Sequence, residues 1–584
     1  MSDREVPVLI VGGGPTGLTL ALLLRRFGID ALVVERRTDM KKAPAAHVVN
    51  ARTFEILRQA GADMTPFEAA SKDPCDAGSV YWVAKLGGEL IGRLPFERQG
   101  EETLAYTPTP LRNLSQHRFE PILLDALLAT GAETPGYGLA WESAVQDGDV
   151  VTSTLRDVAS GETVRIRSRY LLAADGAGSP VRKSLGIAMN GPDVLQHFVM
   201  VHFAADLRDV VRDAPGVIYW VTDPSCRGTF VAHDIDREWV WMLESDGVKR
   251  APDIAECEAS IRAAIARNDI DLRVLNVSPW VMTCQIAERY REGRIFLVGD
   301  AAHRFPPTGG LGLNTGVQEA HNLAWKLAAV LGGRAPDSLL DSYEGERLPV
   351  AQYNADQSLQ NAFRLFEVPQ ALGFSPDPDE ARRGFDEALG DPTRRAAVEA
   401  AIANQAEHFD MLGLQLGYRY AQGAFVAEPE AATDGEDPVP ANPVRDFLPT
   451  SRPGARLPHG WLRRGGGRIS TLDLVPVTSP VLLVGPEGEA WLRAAKAVAP
   501  ELGCVRIGVD VEDPDGWWAS VTRLSPQGAL LVRPDQHVAL RSRGAHEDPA
   551  AALGGAVAAI FGGGSAKLDL PALPPSSSIG TNAG

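Results

Sequence analysis

The opening stretch, Val6 to Arg36, restricts the possible fold more tightly than any other. Val6 to Val11 is a short apolar run of the kind that forms a fully buried parallel strand. It meets Gly12-Gly13-Gly14-Pro15-Thr16-Gly17, which has the Gly-x-Gly-x-x-Gly spacing, and then an apolar helical segment, Leu18 to Phe27, stopped by Gly28. Ala31 to Val34 reads as the next strand and ends in Glu35-Arg36. Each position has a physical task. Gly12 makes a tight turn, Gly14 lets a pyrophosphate approach the backbone, and Gly17 allows close helix–strand packing. Glu35 stands where an acid grips ribose hydroxyls. Pro15 and Thr16 complete the helix start, whose free N–H groups favour an anion. The unit predicts dinucleotide binding; whether the dinucleotide is FAD or NAD cannot be read from it.

A second stretch narrows the choice. An apolar strand, Arg294 to Val298, runs into Gly299-Asp300, then into a loop holding Pro306, Pro307, Gly309, Gly310 and Gly312, then into an amphipathic segment, Thr315 to Leu331. The glycines clear side chains where something bulky lies close to the backbone, and the prolines delay helical winding. An acid at a strand end beside a helix N-terminus suits a ligand with a hydroxylated chain and an electron-rich ring, and flavin fits that description. A third acid-glycine turn, Asp175-Gly176, follows the strand Tyr170 to Ala174 and opens a helix with Pro180 near its start.

Between these motifs the pattern is mixed. Thr53 to Gln59 and Gln116 to Leu128 read as amphipathic helices, and Val150 to Leu155 with Thr163 to Arg167 as a hairpin. Arg52, at a helix start, reaches back toward the cofactor or is a solvated surface charge. From Phe198 to Leu243 four aromatic-rich runs predict an antiparallel sheet, with Ile254 to Ile265 a helix covering it. Such a sheet makes a wall for an aromatic substrate; Trp220 is the candidate pocket residue, or is plain core. Past Leu339 the chain is mostly helical to Leu416, Glu428 to Pro443 is linker-like, and a small α/β unit ends in a Gly/Ser/Pro-rich tail.

Composition removes several classes of function. A length of 584 residues calls for two to four domains, and a net charge of −18 argues against nucleic acid or an anionic membrane as partner. The five cysteines are widely spaced and show neither a disulfide frame nor a metal site, so a reducing cytoplasm is the expected home. No apolar run reaches the roughly 18 residues that span a bilayer.

Taken together, Gly12 to Gly17, Asp175-Gly176 and Gly299-Asp300 resemble, in order and separation, the class A flavoprotein aromatic monooxygenases related to 4-hydroxybenzoate hydroxylase. The runs His47 to Leu57 and Gly309 to Lys326 are similar to the phenol hydroxylase and 2-hydroxybiphenyl 3-monooxygenase branch. The resemblance implies an α/β chain: a Rossmann-like FAD-binding domain (1–190 and 275–345) interleaved with an antiparallel-sheet substrate domain (191–274). A helical region (346–427), a linker (428–450), a thioredoxin-like domain (451–562) and a disordered tail (563–584) would follow. That last domain lacks a cysteine pair, which leaves it an assembly or packing role. Implied FAD contacts are Gly12, Gly14, Pro15, Thr16, Gly17, Glu35, Arg36, Arg52, Gln116, Asp175, Asp300, Pro307, Gly310, Gly312, Leu313 and Asn314. NADH or NADPH would dock transiently, with the Asp175 turn serving both, because no second dinucleotide fingerprint exists. The implied assembly is a homodimer.

The implied reaction is hydroxylation of a phenolic ring by O2 through a flavin C4a-hydroperoxide, the flavin carrying the hard chemistry. Two alternatives stay open: oxygenation of a polyketide or antibiotic by hydroxylation, epoxidation or Baeyer–Villiger chemistry, and a non-catalytic flavin-binding protein. A phenolate is the better nucleophile, and ionising a phenol of pKa about 10 at neutral pH costs roughly 4 kcal/mol. His47, titratable near neutrality and just before the flavin-side helix, is the candidate base, or is a structural histidine. Asn113 stands where some relatives have an aspartate, and asparagine takes no proton. Either His47 acts alone, or Asn113 orients the substrate.

Overall fold

The structure, a computed structural model, describes residues 4–245, 247, 252–265, 267–428, 437 and 439–562. The chain forms two compact units: Met1–Trp325 with Tyr343–Tyr420 and Gly435–Pro449, and Lys326–Ser342 with Ala421–Asp434 and Thr450–Gly584. The expected tail, and residues 429–436 and 438 of the expected linker, lie outside the described residues.

The first unit is built on two large sheets. In one, Arg4–Val11 is central and parallel to both Ala31–Glu35 and Thr163–Ala173, which in turn is parallel to Ile295–Leu297. Val8, Leu9 and Ile10 are fully buried, as expected of a strand covered on both faces. One expectation is corrected here. Thr163–Ala173 is a single strand without a break between Arg167 and Tyr170, its first half also pairing antiparallel with Val150–Asp157. Alternating exposed residues in its first half give way to a buried run at Tyr170, which is why it reads as two.

The other sheet has seven strands and contains the four aromatic-rich runs, now Gln196–Ala204, Ile218–Val221, Gly228–Asp234 and Glu238–Ser245. It also takes in Ser79–Val83 and Leu90–Pro95 from far upstream, so its wall draws on residues outside 191–274. The parallel register sets Trp82 beside Trp220 and Tyr81 beside Tyr219. One face forms an apolar core under the helix Ile254–Ile265, through Cys257 and Ile261. Trp82 belongs to the other face, whose core includes Phe96 and Phe409.

The helix expected from Thr315 begins earlier, at Leu311, and runs to Leu331, so Gly312 lies in its first turn. Beyond Pro440 the linker-like stretch is built into the first unit: Leu414 N–H donates to Val444 O at 3.0 Å, and Arg98 to Arg445 O at 3.2 Å. The second unit carries the sheet Gly503–Arg506, Val481–Val484, Ala529–Val532, Val538–Ser542, parallel in its first pair and antiparallel in the others. With helices Glu489–Val498 and Pro549–Phe561 this is the expected thioredoxin-like arrangement. The strand expected over Cys504 to Val511 stops at Arg506, where Gly508 turns the chain.

Candidate active site

Three loops meet at the end of the parallel sheet. Gly12 has φ +113°, and a Cβ there would stand 2.1 Å from Ala174 O; one on Gly17 would stand 2.0 Å from Gly12 O. Neither clash can relax, because the obstacle is backbone. A Cβ on Gly14 would meet no protein atom within 4 Å, so this glycine faces open space, where a pyrophosphate is expected. Pro15 opens the helix Pro15–Arg26, whose N-cap, Gly14, supplies no side-chain hydrogen bond. Thr16 packs onto the other motif: a Cβ on Gly299 or Gly316 would lie 2.7 or 2.3 Å from its Oγ1. Arg182 ties the Asp175 turn to that motif by donating to Ala301 O at 2.9 Å.

The acids are held firmly. Glu35 Oε2 accepts from Gly13 N–H at 3.0 Å, and Oε1 from the backbone and side chain of Arg37 at 3.0 and 3.1 Å. Burial disfavours its charge, but Arg37 and Gly13 prevail and hold the carboxyl below its ordinary range. Arg36 is exposed, and it is Arg37 that the structure brings to Glu35. Asp175 Oδ2 accepts from Val181 N–H at 3.1 Å, and burial pushes its carboxyl up. Asp300 is exposed at its surface yet has protein on several sides, and desolvation raises its pKa. Lys41, which no sequence motif marks, lies close enough to Asp300 and Glu120 to feel both charges.

The helix tip at Leu311 is bolted to the segment carrying His47. Asn314 Oδ1 accepts from Asn50 N–H at 2.9 Å and Thr53 Oγ1–H at 2.7 Å, while Nδ2 donates to Val48 O at 3.0 Å and Gly310 O at 2.7 Å. These contacts take up the capacity of the amide, so the Asn314 side chain acts as a strut. Gly310 lies against Val48, a Cβ there falling 2.7 Å from Val48 Cβ. A Cβ on Gly312 would lie 3.8 Å from Asp300 Oδ1, Leu313 is half-buried and Pro307 exposed. Arg52 is fully buried and pairs with Glu55 Oε2 at 3.0 Å and His321 Nδ1 at 3.3 Å, so it is no surface charge. Gln116 donates to Glu120 Oε1 at 2.6 Å.

Beside the helix tip is an aromatic cluster that belongs to a buried apolar core. His47 is clamped at both sides by backbone: Leu114 N–H donates to His47 O and Gln116 N–H to Ala46 O, each at 2.8 Å. Val48 pairs with Asn113 across a short ladder. The His47 ring stacks near Phe96 at 6.3 Å between centroids; Phe96 meets Phe409 at 6.1 Å, Phe409 meets Trp220 at 5.5 Å, and Trp220 stacks on Trp82 at 4.7 Å and 15°. Trp220 is half-buried while Trp82 is buried, so Trp220 is the sheet's side of this wall. His233 closes on His47 edge-on at 5.7 Å. Burial, with the nearby Lys72 charge, lowers the His47 pKa to about 4. Burial likewise lowers that of Lys72, whose Nζ has no hydrogen-bond partner among the described residues, to about 7. Asn113, 1% exposed, lies behind His47, its Oδ1 3.1 Å from His47 Nδ1.

The open face at Gly14, the braced acid at Glu35 and the accessible Asp300 beside a helix start fit an extended dinucleotide, and comparison with known proteins agrees. Residues 5–358 match the family described as FAD binding domain, and 450–563 the aromatic-ring hydroxylase C-terminal family. The chain is 37% identical to tetracenomycin A2 monooxygenase-dioxygenase of Streptomyces glaucescens, over 96% of this chain and 98% of that one. It is 36% identical to 4-methyl-5-nitrocatechol 5-monooxygenase of a Burkholderia species, with the same coverage of each. The flavin-dependent monooxygenase PieE, solved with FAD and substrate, superposes with a TM-score of 0.89 at 36% identity, covering 97% of this chain and 100% of that one. The chain belongs to the FAD-binding family of aromatic-ring hydroxylases, the single-component FAD-dependent monooxygenases.

Proposed function

We propose that the protein hydroxylates a phenolic ring, using NADH or NADPH and O2, with His47 as the group that draws the phenolic proton. In this reading FAD is held by Gly12, Gly14, Pro15, Thr16, Gly17, Glu35, Asp175 and Asp300 and by the helix tip from Gly310 to Asn314. When bound, FAD supplies the redox chemistry that no side chain can: it takes up a hydride and activates oxygen. The Asp175 turn is also the proposed docking point for the nicotinamide, and a homodimer is part of the same reading.

The observation that carries the proposal is His47, neutral and clamped against an aromatic cluster beside the helix tip that neighbours Asp300. A phenol stacked along Trp220, Phe409 and Phe96 would present its hydroxyl to the imidazole. The same burial that penalises a lone imidazolium strengthens a hydrogen bond made in the pocket. As proton density shifts toward His47, negative charge gathers on the ring carbons that oxygen must meet. The apolar wall also excludes water from the reaction. The breadth of that wall, built from four rings, favours a second reading as well: oxygenation of a larger polyketide or antibiotic, supported by the relative named for tetracenomycin.

A panel of phenols and polycyclic aromatics, scored by NADH or NADPH consumption together with product mass, tests both readings. His47→Gln should keep FAD while coupled hydroxylation falls about 10²-fold and peroxide release rises. Unchanged coupling in that variant removes His47 from the reaction.

A further inference from the structure

We propose that Gln99 and Asn113 form an amide relay that locks His47 with its proton on Nδ1, so that Nε2 is the bare, proton-accepting nitrogen. The inference deepens the reading of His47 given above and rests on it, and it makes Asn113 and Gln99 positioning residues behind the base.

The relay follows from which atoms can donate. Gln99 Nε2 is 3.0 Å from Ala77 O and 2.9 Å from Phe96 O, both backbone carbonyls. Carbonyls only accept, so the NH2 end of the Gln99 amide must face them, which leaves Oε1 pointing the other way. That oxygen lies 3.2 Å from Asn113 Nδ2, which fixes the Asn113 amide in turn and presents its Oδ1 to His47. At 3.1 Å from that oxygen, His47 Nδ1 must carry the proton. A neutral imidazole has one N–H, so Nε2 keeps its lone pair.

Burial makes the lock firm. Gln99 is 7% exposed and Asn113 1%, so water cannot readily replace either partner. The backbone holds the relay as well: Asn113 pairs with Val48, and Asn113 O accepts from Lys72 N–H at 2.9 Å. The other groups facing His47 are Phe96, His233 and Lys72, and none has a hydrogen bond to Nδ1 among the described residues. The amide also explains how a chain with asparagine at this position works. An aspartate here would orient the ring equally well, but its charge would hold a proton on the imidazole. Asparagine orients the ring and leaves it neutral.

The test is nitrogen NMR on the full-length, FAD-loaded protein with 15N-labelled histidine rings, His47 being identified by its loss in His47→Gln. The wild type should show a protonated Nδ1 and a bare Nε2 at pH 7. Gln99→Leu frees the Asn113 amide to turn; the Nε2–H form should then become substantial, and coupled hydroxylation should fall about tenfold with FAD retained. Asn113→Asp should keep the tautomer while shifting the His47 titration, and the acid limb of kcat, to higher pH. Wild-type His47 protonated on Nε2 overturns the relay, as does a Gln99→Leu spectrum with the tautomer unchanged. Because the spectrum reads the ring directly, the relay can fail while His47 remains the base, and a loss of the base role leaves the spectrum still informative.

Discussion

The cofactor cradle and the His47 pocket adjoin, but they are made of different material. The floor of the cradle is backbone: Gly12 and Gly17 sit so close to carbonyl oxygens that no side chain can be accommodated. The pocket is side chains drawn from separate parts of the chain, including His47, Phe96, Trp220 and Phe409. Where backbone makes the contact, binding is by shape and dipole, and the requirement is absolute. A side-chain pocket is adjusted ring by ring, and its failures are graded.

Three experiments press on that difference. Gly17→Val should be the most damaging, because its Cβ would lie 2.0 Å from Gly12 O; a cost of about 3 kcal/mol or more, with complete loss of the flavin spectrum, is expected. A folded, yellow variant would break the contrast. Gly14→Ala sharpens it, since nothing lies within 4 Å of the added carbon. Thermal melting of the apoprotein should change by no more than about 1 kcal/mol, while FAD affinity drops about 10²-fold, because only the ligand meets the new methyl group. Titrating FAD into both apoproteins separates the two effects.

The smallest effect concerns pH. His408 stacks on Phe409 at 4.1 Å, and burial lowers its pKa to about 3. The unfolded chain therefore binds a proton that the folded chain refuses between pH 6.5 and about 3, and stability falls as pH drops through that window. His47 acts in the same sense from pH 6.5 to about 4. The cradle acid Asp175, whose carboxyl burial pushes up, acts in the opposite sense and loses stability as pH rises. His408→Phe should therefore flatten the acid side of a Tm–pH profile, recovering about 2 kcal/mol at pH 5 with little change at pH 8. An unaltered acid slope would mean that the pocket histidines do not set it.

The contrast also explains what could be read in advance. The fingerprint, its strands and Glu35 were legible because a backbone turn leaves few residue choices at each position, and those choices are local. The aromatic face of the sheet was legible from its alternation. The pairing of Glu35 with Arg37 was not legible, because a strand end does not say which neighbour folds back. Gln99 and Phe409 carried no signal. Neither lies in a motif, and their place one residue removed from His47, behind Asn113 and Phe96, comes from tertiary packing between segments separated by up to 362 residues. Asn113 could be singled out but its role could not, since that depends on which end of a distant amide faces it.

The parallel register that sets Trp82 against Trp220 has an optical consequence. Two indoles stacked with nearly parallel planes, 4.7 Å apart, couple their electronic transitions, so the wall should generate an exciton band in circular dichroism. The band would arise from the protein rather than the flavin, and it would shift when a guest slides along Trp220, giving the enzyme a built-in gauge of occupancy.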